Sequence, residues 1–251
     1  MAKLTAVLLA AGKGTRMKSD LPKVLHKVGG QAMLTHVMNA AETAGCRDSV
    51  VIVGHGAEQV RELVGNRARI ALQAEQLGTG HAVLQAAEAL KDYTGTVMIL
   101  CGDTPLIEGT ELKKLYDFHV QTGAAATVMT AMMEDPFGYG RILRDAKGDV
   151  EGIVEEKEAT SEQKLIKEIN TGNYCVEAPL LFDVLRTLGR KDNQSEYYLT
   201  DLLALLRVRG EKICGLLTSD SEMIMGVNSQ DQLAVAERIM QRRILEQHKR
   251  K

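Results

Sequence analysis

The sequence has no tryptophan, and its other aromatics are only six tyrosines and three phenylalanines. Base-stacking platforms for single-stranded nucleic acid are built from aromatic rings, so this composition argues against one. Positive charge is not in excess either. Lysine and arginine number 31 against 33 aspartates and glutamates, a formal net charge of −2. Nucleic-acid-binding domains are basic overall or carry a basic stripe, so no nucleic-acid partner is expected. No apolar segment approaches the roughly 20 residues of a membrane span, so no membrane partner is expected. The four cysteines, Cys46, Cys101, Cys175 and Cys214, form no C-x-x-C pair. That removes the usual basis for a zinc ribbon or a dithiol redox centre, and scattered thiols point to a reducing, cytoplasmic setting. The six histidines contain no H-x-x-x-H spacing. Lys3 followed by LTAVLLAA mimics a signal peptide, but the apolar run is short and a Gly-Lys-Gly loop follows at once.

What the chain has is alternation. Its 251 residues allow one large domain or two small ones with a buried core. Residues 4–10 (LTAVLLA) form a continuous apolar run that predicts a buried parallel strand. Met33, Val37, Met38 and Ala41 lie at helical spacing within 32–44, and Gly45 sits where a helix stop belongs. Strand follows at 49–53, helix at 58–64, strand at 68–73 and an alanine-rich helix at 80–91. Strand at 96–103, helix at 111–123 and strand at 124–133 complete the first half. About five strand–helix units predict an open α/β sheet, Rossmann-like and mostly parallel. Such sheets bind ligands at the carboxyl ends of their strands.

The second half is less regular. It predicts a hairpin over 140–156 turning at Ala146-Lys147-Gly148-Asp149, and a strand over 169–178. Helices are expected over 178–189 and 197–210, each closing on glycine, then a strand over 212–218. Leu233, Ala236, Ile239, Met240 and Ile244 put the last segment, 229–251, in a helix with a frayed polar end. Residues from about 134 to 227 are expected to elaborate the core sheet, without a sharp domain line.

Chemistry is concentrated in LLAAGKGTRMKSDLPKVL, residues 8–25. A Walker A loop needs G-x-x-x-x-G-K-[ST], but Val7 stands five residues before Gly12, and Gly14 follows Lys13. A dinucleotide fingerprint needs a third glycine where Met17 stands. It also needs an acid ending the second strand, which instead ends Val53-Gly54-His55. What remains is a two-glycine loop with Lys13, Arg16, Lys18 and Lys23 against one acid, Asp20. Glycines let backbone N–H groups approach a ligand. Arg16 can fork onto phosphate oxygens, Lys23 can act as a point charge, and Pro22 fixes the chain before it. On chemistry alone the loop is either a phosphate cradle or a solvated basic turn.

Other segments are equally two-sided. Asp103 ends a strand before Thr104-Pro105, as a Mg²⁺ ligand or as a turn cap. Gly78-Thr79-Gly80 allows close approach to a base, with Gln73 offering donor and acceptor, or is a tight turn. Glu155 belongs to the charge run EEKE, which alone reads as a solvated face, and Tyr198 and Thr200 suit a capped helix start. His81 reads as structural and MTAMM (129–133) as sheet core.

These segments resemble a known family. LAAGKGTRM…LPK matches the sugar-nucleotide pyrophosphorylase signature, approximately [LI]-x-A-G-x-G-T-R-[ML]…[LP]-K-x-[LM], at the first strand's end. LQAEQLGTGHA (72–82), GDTPLI (102–107), GYGRI (138–142), INTGNYC (169–175), SEYYLTD (195–201) and GVNS (226–229) narrow the likeness. They resemble the N-terminal uridylyltransferase domain of the bacterial bifunctional uridylyltransferase–acetyltransferase family, over nearly the whole chain.

The resemblance implies an α/β fold of the nucleotide-diphospho-sugar transferase type, Rossmann-like, with an open, mixed, mostly parallel sheet and a smaller sugar-side β elaboration. It implies a nucleotidyltransferase domain over 1–227 and a C-terminal helix over 228–251. The reaction it implies is Mg²⁺-dependent transfer of UMP from UTP to N-acetylglucosamine 1-phosphate. The products would be pyrophosphate and UDP-N-acetylglucosamine, a precursor of the bacterial cell envelope. Leu9, Ala10, Ala11 and Gly12 would contact the nucleotide, and Arg16 and Lys23 would neutralise phosphates. Gln73, Gly78 and Thr79 would read uracil. Gly140, Glu155 and Asn170 would hold the sugar phosphate, with Tyr198 and Thr200 beside them. Asp103 and Asn228 would hold Mg²⁺, although no spacing rule nominates Asn228. The family often has an aromatic where Cys101 stands, which leaves a stacking or packing contact there open. Another sugar or base, or a non-catalytic nucleotide-sugar-binding regulatory role, stay as alternatives. The family continues into a left-handed β-helix that transfers acetyl groups and forms its trimer. No hexapeptide repeat occurs here, so neither acetyl transfer nor trimerisation is expected of this piece, and a monomer is.

Overall fold

The computed structural model describes residues 3–188 and 196–249. Gly189, expected to close a helix, and Ser195 of the SEYYLTD segment lie outside the described residues. The chain opens with β1 (Leu4–Ala10), then a basic loop carrying single 3₁₀ turns at Thr15–Met17 and Lys23–Leu25. A small ribbon, β2 (Lys27–Val28) and β3 (Gln31–Ala32), leads into α1 (Met33–Ala44). Then come β4 (Ser49–Val53), α2 (Ala57–Val64), β5 (Arg69–Leu72) and α3 (Thr79–Leu84). β6 (Thr96–Cys101), α4 (Gly109–Thr122) and β7 (Ala126–Met132) complete the alternating half. The hairpin β8 (Arg141–Arg144) and β9 (Val150–Val154) precedes β10 (Glu168–Glu177). α5 (Ala178–Leu188), α6 (Asp201–Val208), β11 (Ile213–Leu217) and α7 (Gln230–Lys249) end the description.

The main sheet has the order β11-β7-β10-β6-β1-β4-β5, with the β8–β9 hairpin attached through β10. β10 runs antiparallel to both neighbours, and the other six strands of that order run parallel to one another. Between β7 and β10 the chain makes the β8–β9 hairpin and no crossover helix of the kind that usually joins parallel strands, and β10 enters antiparallel to both neighbours. Residues 134–227 therefore do more than elaborate the sheet, because β10 fills its centre and β11 extends it.

The continuous apolar runs are explained by two covered faces. In β1, Leu4, Ala6, Leu8 and Ala10 face the core under α1 and α4, while Val7 faces the core under α5 and α6. β6 repeats the pattern, with Met98 and Leu100 on one face and Val97 and Ile99 on the other. Burial of each such Leu, Ile or Met stabilises the fold by roughly 1.5–3 kcal/mol.

One expected helix is shorter than the sequence suggests. Residues 80–91 read as one helix, but α3 ends at Leu84 and successive turns follow. Ala86 N donates to Val83 O and Ala87 N to Leu84 O, both i→i−3 bonds. Val83 and Ala86 are both fully buried, and the tighter turn stacks residues three apart on one line.

The terminal helix α7 closes a third, smaller core in which Ala236 meets Val28, Met33, Leu106 and Val227. Glu237 Oε2 accepts from Gly29 N at 2.7 Å, and Gln230 Nε2 donates to Met17 O at 3.0 Å. α7 thus holds both the ribbon and the basic loop. No described helix is long and apolar enough to cross a membrane.

Candidate active site

The basic loop leaves β1 at its carboxyl end. Gly14 has φ +62°, and a Cβ there would sit 2.7 Å from Lys23 Cβ, so the loop packs back onto Lys23 only with glycine at this position. The Lys23 ammonium reaches inward. It donates to Asp103 Oδ2 at 2.5 Å and to Asn228 Oδ1 at 2.9 Å. Asp103 follows β6, and Val227 N donates to its carbonyl at 2.9 Å, which fixes residue 228 beside residue 103. Among the described residues the Asp103 carboxylate accepts from Lys23 and from no backbone N–H of the turn at Thr104-Pro105, where Thr104 N and Oγ1 both donate to Cys101 O, at 3.3 and 2.7 Å. Arg16 is placed differently from Lys23. It is exposed on the Thr15–Met17 turn and has no hydrogen bond or ion pair among the described residues.

A cleft of about 320 Å³ opens at the strands' carboxyl ends. Leu9, Ala10, Ala11 and Gly12 form one wall, and Gln73, Gly78 and Thr79 another. Lys23, Asp103, Cys101 and Tyr198 complete it. Gly78 has φ +109°, and a Cβ there would lie 2.6 Å from Tyr197 O. Its loop is joined to the Tyr198 segment by Gly80 N to Tyr197 O and Tyr197 N to Leu77 O, both 2.7 Å. Thr79 Oγ1 accepts from Leu199 N at 2.9 Å. The Gly-Thr-Gly segment is thus a tight turn and a cleft wall at once.

Gly140, Glu155, Asn170 and Thr200 form a second group outside this lining. Asn170 N donates to Gly140 O at 2.9 Å, and a Cβ on Gly140 would lie 3.6 Å from both Asn170 Cβ and Glu155 Oε2. Thr200 Oγ1 donates to Glu155 Oε1 at 2.9 Å. The two groups meet at Cys101, whose Sγ lies 3.6 Å from Gly172 O, while Gly172 N donates to Asn170 Oδ1 at 2.9 Å. Burial pushes the Cys101 thiol up to about 12, so it is a neutral wall of the cleft. The hydrogen bond to Glu196 raises Tyr198 to about 12, so its hydroxyl stays protonated.

Only half of the EEKE run is a solvated face, since Lys157 and Glu158 are exposed while Glu155 and Glu156 are partly buried. Glu156 pairs with the buried Arg141 at 2.7 Å, and burial raises the Glu155 carboxyl above its ordinary range against the Thr200 bond that lowers it. Ionised Glu155 is therefore worse off folded than unfolded. Its stabilising share is present below the unfolded pKa and lost as pH rises through the folded one. Glu155→Gln is expected to raise Tm near pH 8 and to change it little below about pH 4. Thermal denaturation at both pH values measures this, and equal gains at both would assign the effect to packing instead.

Val24, Gln76, Ala82 and Glu196 also line the cleft and were not nominated by the sequence. Gln76 had a signal, since it lies in the same segment as Gln73, to whose carbonyl oxygen it donates at 3.3 Å. Glu196 had a signal of the same kind, since it lies in the SEYYLTD segment with Tyr198 and Thr200. Among the described residues no group of three or more His, Cys, Asp or Glu could hold a metal ion. Asp103 and Asn228 nevertheless turn two oxygens toward a point already holding a positive charge. An all-oxygen pair with one carboxylate suits Mg²⁺, which completes its shell from phosphates and water.

Three comparisons bear on this site. The nucleotidyl transferase family model matches residues 5–221. Proteins named bifunctional protein GlmU are 52% identical over 244 residues in Heliobacterium modesticaldum and 49% over 243 residues in Clostridioides difficile. Each match covers 97% of this chain and 53% of the relative, so the chain spans about half the length of these curated relatives. A solved Bacillus anthracis structure, assigned as a glucose-1-phosphate thymidylyltransferase, superposes with a TM-score of 0.76 at 16% identity. It covers 94% of this chain and 95% of that one, which shows the shared fold.

Proposed function

The chain belongs to the nucleotidyl transferase family, and we propose that it transfers UMP from UTP to N-acetylglucosamine 1-phosphate. The observation that carries this reading is the meeting of Lys23, Asp103 and Asn228 at the mouth of a cleft whose other wall presents Gln73. The named GlmU relatives support the choice of substrates. A phosphate oxygen of the sugar phosphate attacks the α-phosphorus of UTP. One P–O bond forms there, the bond to the β-phosphate breaks, and its electron pair leaves on pyrophosphate. The nucleophile is already ionised, so no strong base is required. The barrier lies in bringing two anions together and in the charge of the leaving group.

Lys23 neutralises phosphate charge on entry of the nucleotide. Arg16, exposed and without a hydrogen bond or ion pair among the described residues, is placed to fold onto the triphosphate from the loop's outer side. Gln73, Gly78 and Thr79 hold the base. Gly140, Glu155, Asn170 and Thr200 form the sugar side, with Tyr198 between the two. Asp103 and Asn228 hold Mg²⁺, which when bound supplies further charge neutralisation at the phosphates. The unit is 1–227 with α7 as a strut, and it works in the cytoplasm as a monomer supplying cell-envelope precursors. No acetyl transfer is assigned to these residues.

The test is pyrophosphate release from UTP with N-acetylglucosamine 1-phosphate, with and without Mg²⁺. Release that needs both the sugar phosphate and the metal supports the reading. Release only with another sugar phosphate moves the substrate. No release with any sugar phosphate points to a nucleotide-sugar-binding module.

A further inference from the structure

We propose that Gln232, in the first turn of α7, is a positioning residue for Asn228 and thereby sets the affinity of the Asp103–Asn228 pair for a divalent cation. The inference rests on the reading that these two side chains hold Mg²⁺. α7 begins at Gln230, so Ser229 is its N-cap and Gln232 its third residue. Ser229 and Gln232 have the S-x-x-Q pattern of a capping box. Ser229 Oγ accepts from Gln232 N at 3.3 Å, the usual first half of that motif. The reciprocal bond is displaced by one residue. Gln232 Oε1 accepts from Asn228 N at 2.8 Å, where the motif ordinarily serves the N-cap N–H. A backbone N–H can only donate, so the oxygen end of the amide is the one that faces it.

Asn228 is thereby held from two sides. Val227 N donates to Asp103 O at 2.9 Å, and Asn228 N donates to Gln232. These bonds fix the backbone that carries Asn228 Oδ1 to the point it shares with Asp103 Oδ2 at Lys23 Nζ. Such fixing matters more for Asn228 than for Asp103. A carboxylate attracts a cation by its charge, whereas a neutral amide oxygen contributes only when it is already in place. Groups that orient a ligand therefore govern affinity without touching the ion.

Gln232 itself stands on a firm support. Along α7, Gln230 Nε2 donates to Met17 O at 3.0 Å, Glu237 Oε2 accepts from Gly29 N at 2.7 Å, and Arg243 donates to Leu106 O at 2.7 Å. Ala236 is buried with Met33, Leu106 and Val227. Leu106 and Val227 belong to the two loops that carry Asp103 and Asn228, so the helix takes its bearing from both. The alternative role for Gln232 is an ordinary helix cap, which stabilises α7 and leaves the cation untouched. The two roles differ in what they serve. Ser229 Oγ serves an N–H of α7, and Gln232 Oε1 serves the ligand-bearing residue.

The test is the Kd for Mn²⁺, measured by electron paramagnetic resonance on the whole chain, with Tm alongside. Gln232→Leu keeps the bulk and removes the acceptor, and it is expected to weaken Mn²⁺ binding about tenfold, the lower end for ligand-orienting groups. Gln232→Glu keeps an oxygen at the same reach and is expected to recover the affinity. Ser229→Ala removes the other half of the cap and is expected to lower Tm while keeping the wild-type Kd. Should the Leu variant not fold, Gln232→Ala serves as the second acceptor-free form. In pyrophosphate release, the same loss of the acceptor is expected to raise the half-maximal Mg²⁺ concentration about tenfold and to leave the rate at saturating Mg²⁺ near that of the wild type. A wild-type Kd in the folded Leu or Ala variant overturns the proposal. So does a Ser229→Ala chain that loses Mn²⁺ affinity to the same extent, because fraying of α7 is then the cause. A chain whose Mn²⁺ affinities follow the expected pattern yet which releases no pyrophosphate counts against the transferase reading and leaves this inference standing.

Discussion

Lys23→Ala is expected to slow pyrophosphate release by roughly 10²–10³ and, in the absence of nucleotide, to bind Mn²⁺ more tightly than the wild type. The two effects have one origin. Without nucleotide the ammonium lies 2.5 Å from Asp103 Oδ2 and 2.9 Å from Asn228 Oδ1, at the point where those oxygens converge. A divalent ion seeking the same oxygens meets a positive charge already there, and like charges at contact distance repel strongly in a partly dry cleft. Removing the side chain empties that point, yet also removes the group that neutralises the incoming phosphates. Mn²⁺ titration followed by electron paramagnetic resonance reads the first effect, and single-turnover release reads the second. Unchanged Mn²⁺ affinity would mean that the ammonium and the metal do not compete. Near-normal release would remove Lys23 from the chemistry.

Asp103→Asn is expected to leave the protein folded and to lower release by about 10³ or more, with little remaining response to Mg²⁺. The fold survives because residue 103 is also tied through its backbone carbonyl, which accepts from Val227 N at 2.9 Å and is untouched by the substitution. An asparagine still offers Lys23 an oxygen. What is lost is the only carboxylate of the donor pair, and Mg²⁺ held by two neutral amides binds weakly. Release measured across Mg²⁺ concentrations, with Tm as the control, checks this. A variant that keeps its Mg²⁺ dependence sinks the assignment of Asp103.

The parts of this fold legible beforehand are those set by local patterning. The runs LTAVLLA and TVMILC read as buried strands because both faces of β1 and β6 are covered, so no polar alternation is required of them. α1 and α4 were legible from spacing and from Gly45 and Gly123, which follow their last residues. The placement of β10 between β6 and β7 was not legible, because strand order depends on pairing between distant segments and leaves no local trace. The same cause hid the environment of Glu155. It is sheltered by Gly140 and Thr200, which lie elsewhere in the chain, and within EEKE it looks like any surface acid. Asn228 was nominated only by resemblance, since its partner Lys23 is 205 positions away. Val24 and Ala82 line the cleft yet went unmarked, because small apolar residues give no chemical signal.

The late arrival of β10 bears on how the chain is made. β7 ends at Met132 and β10 begins at Glu168, so β6 and β7 leave the ribosome well before the strand that joins them. During that interval one edge of β6 and both edges of β7 stand open in the nascent sheet, since β11 also follows later, and they can pair wrongly with each other or with another chain. Closing them is a long-range event with a high entropic cost, which slows folding relative to a sheet built in chain order. Nascent chains released before Glu177 therefore lack the strand that joins the two halves of the sheet, and ribosome-bound chains gain protease resistance only once that residue has cleared the exit tunnel.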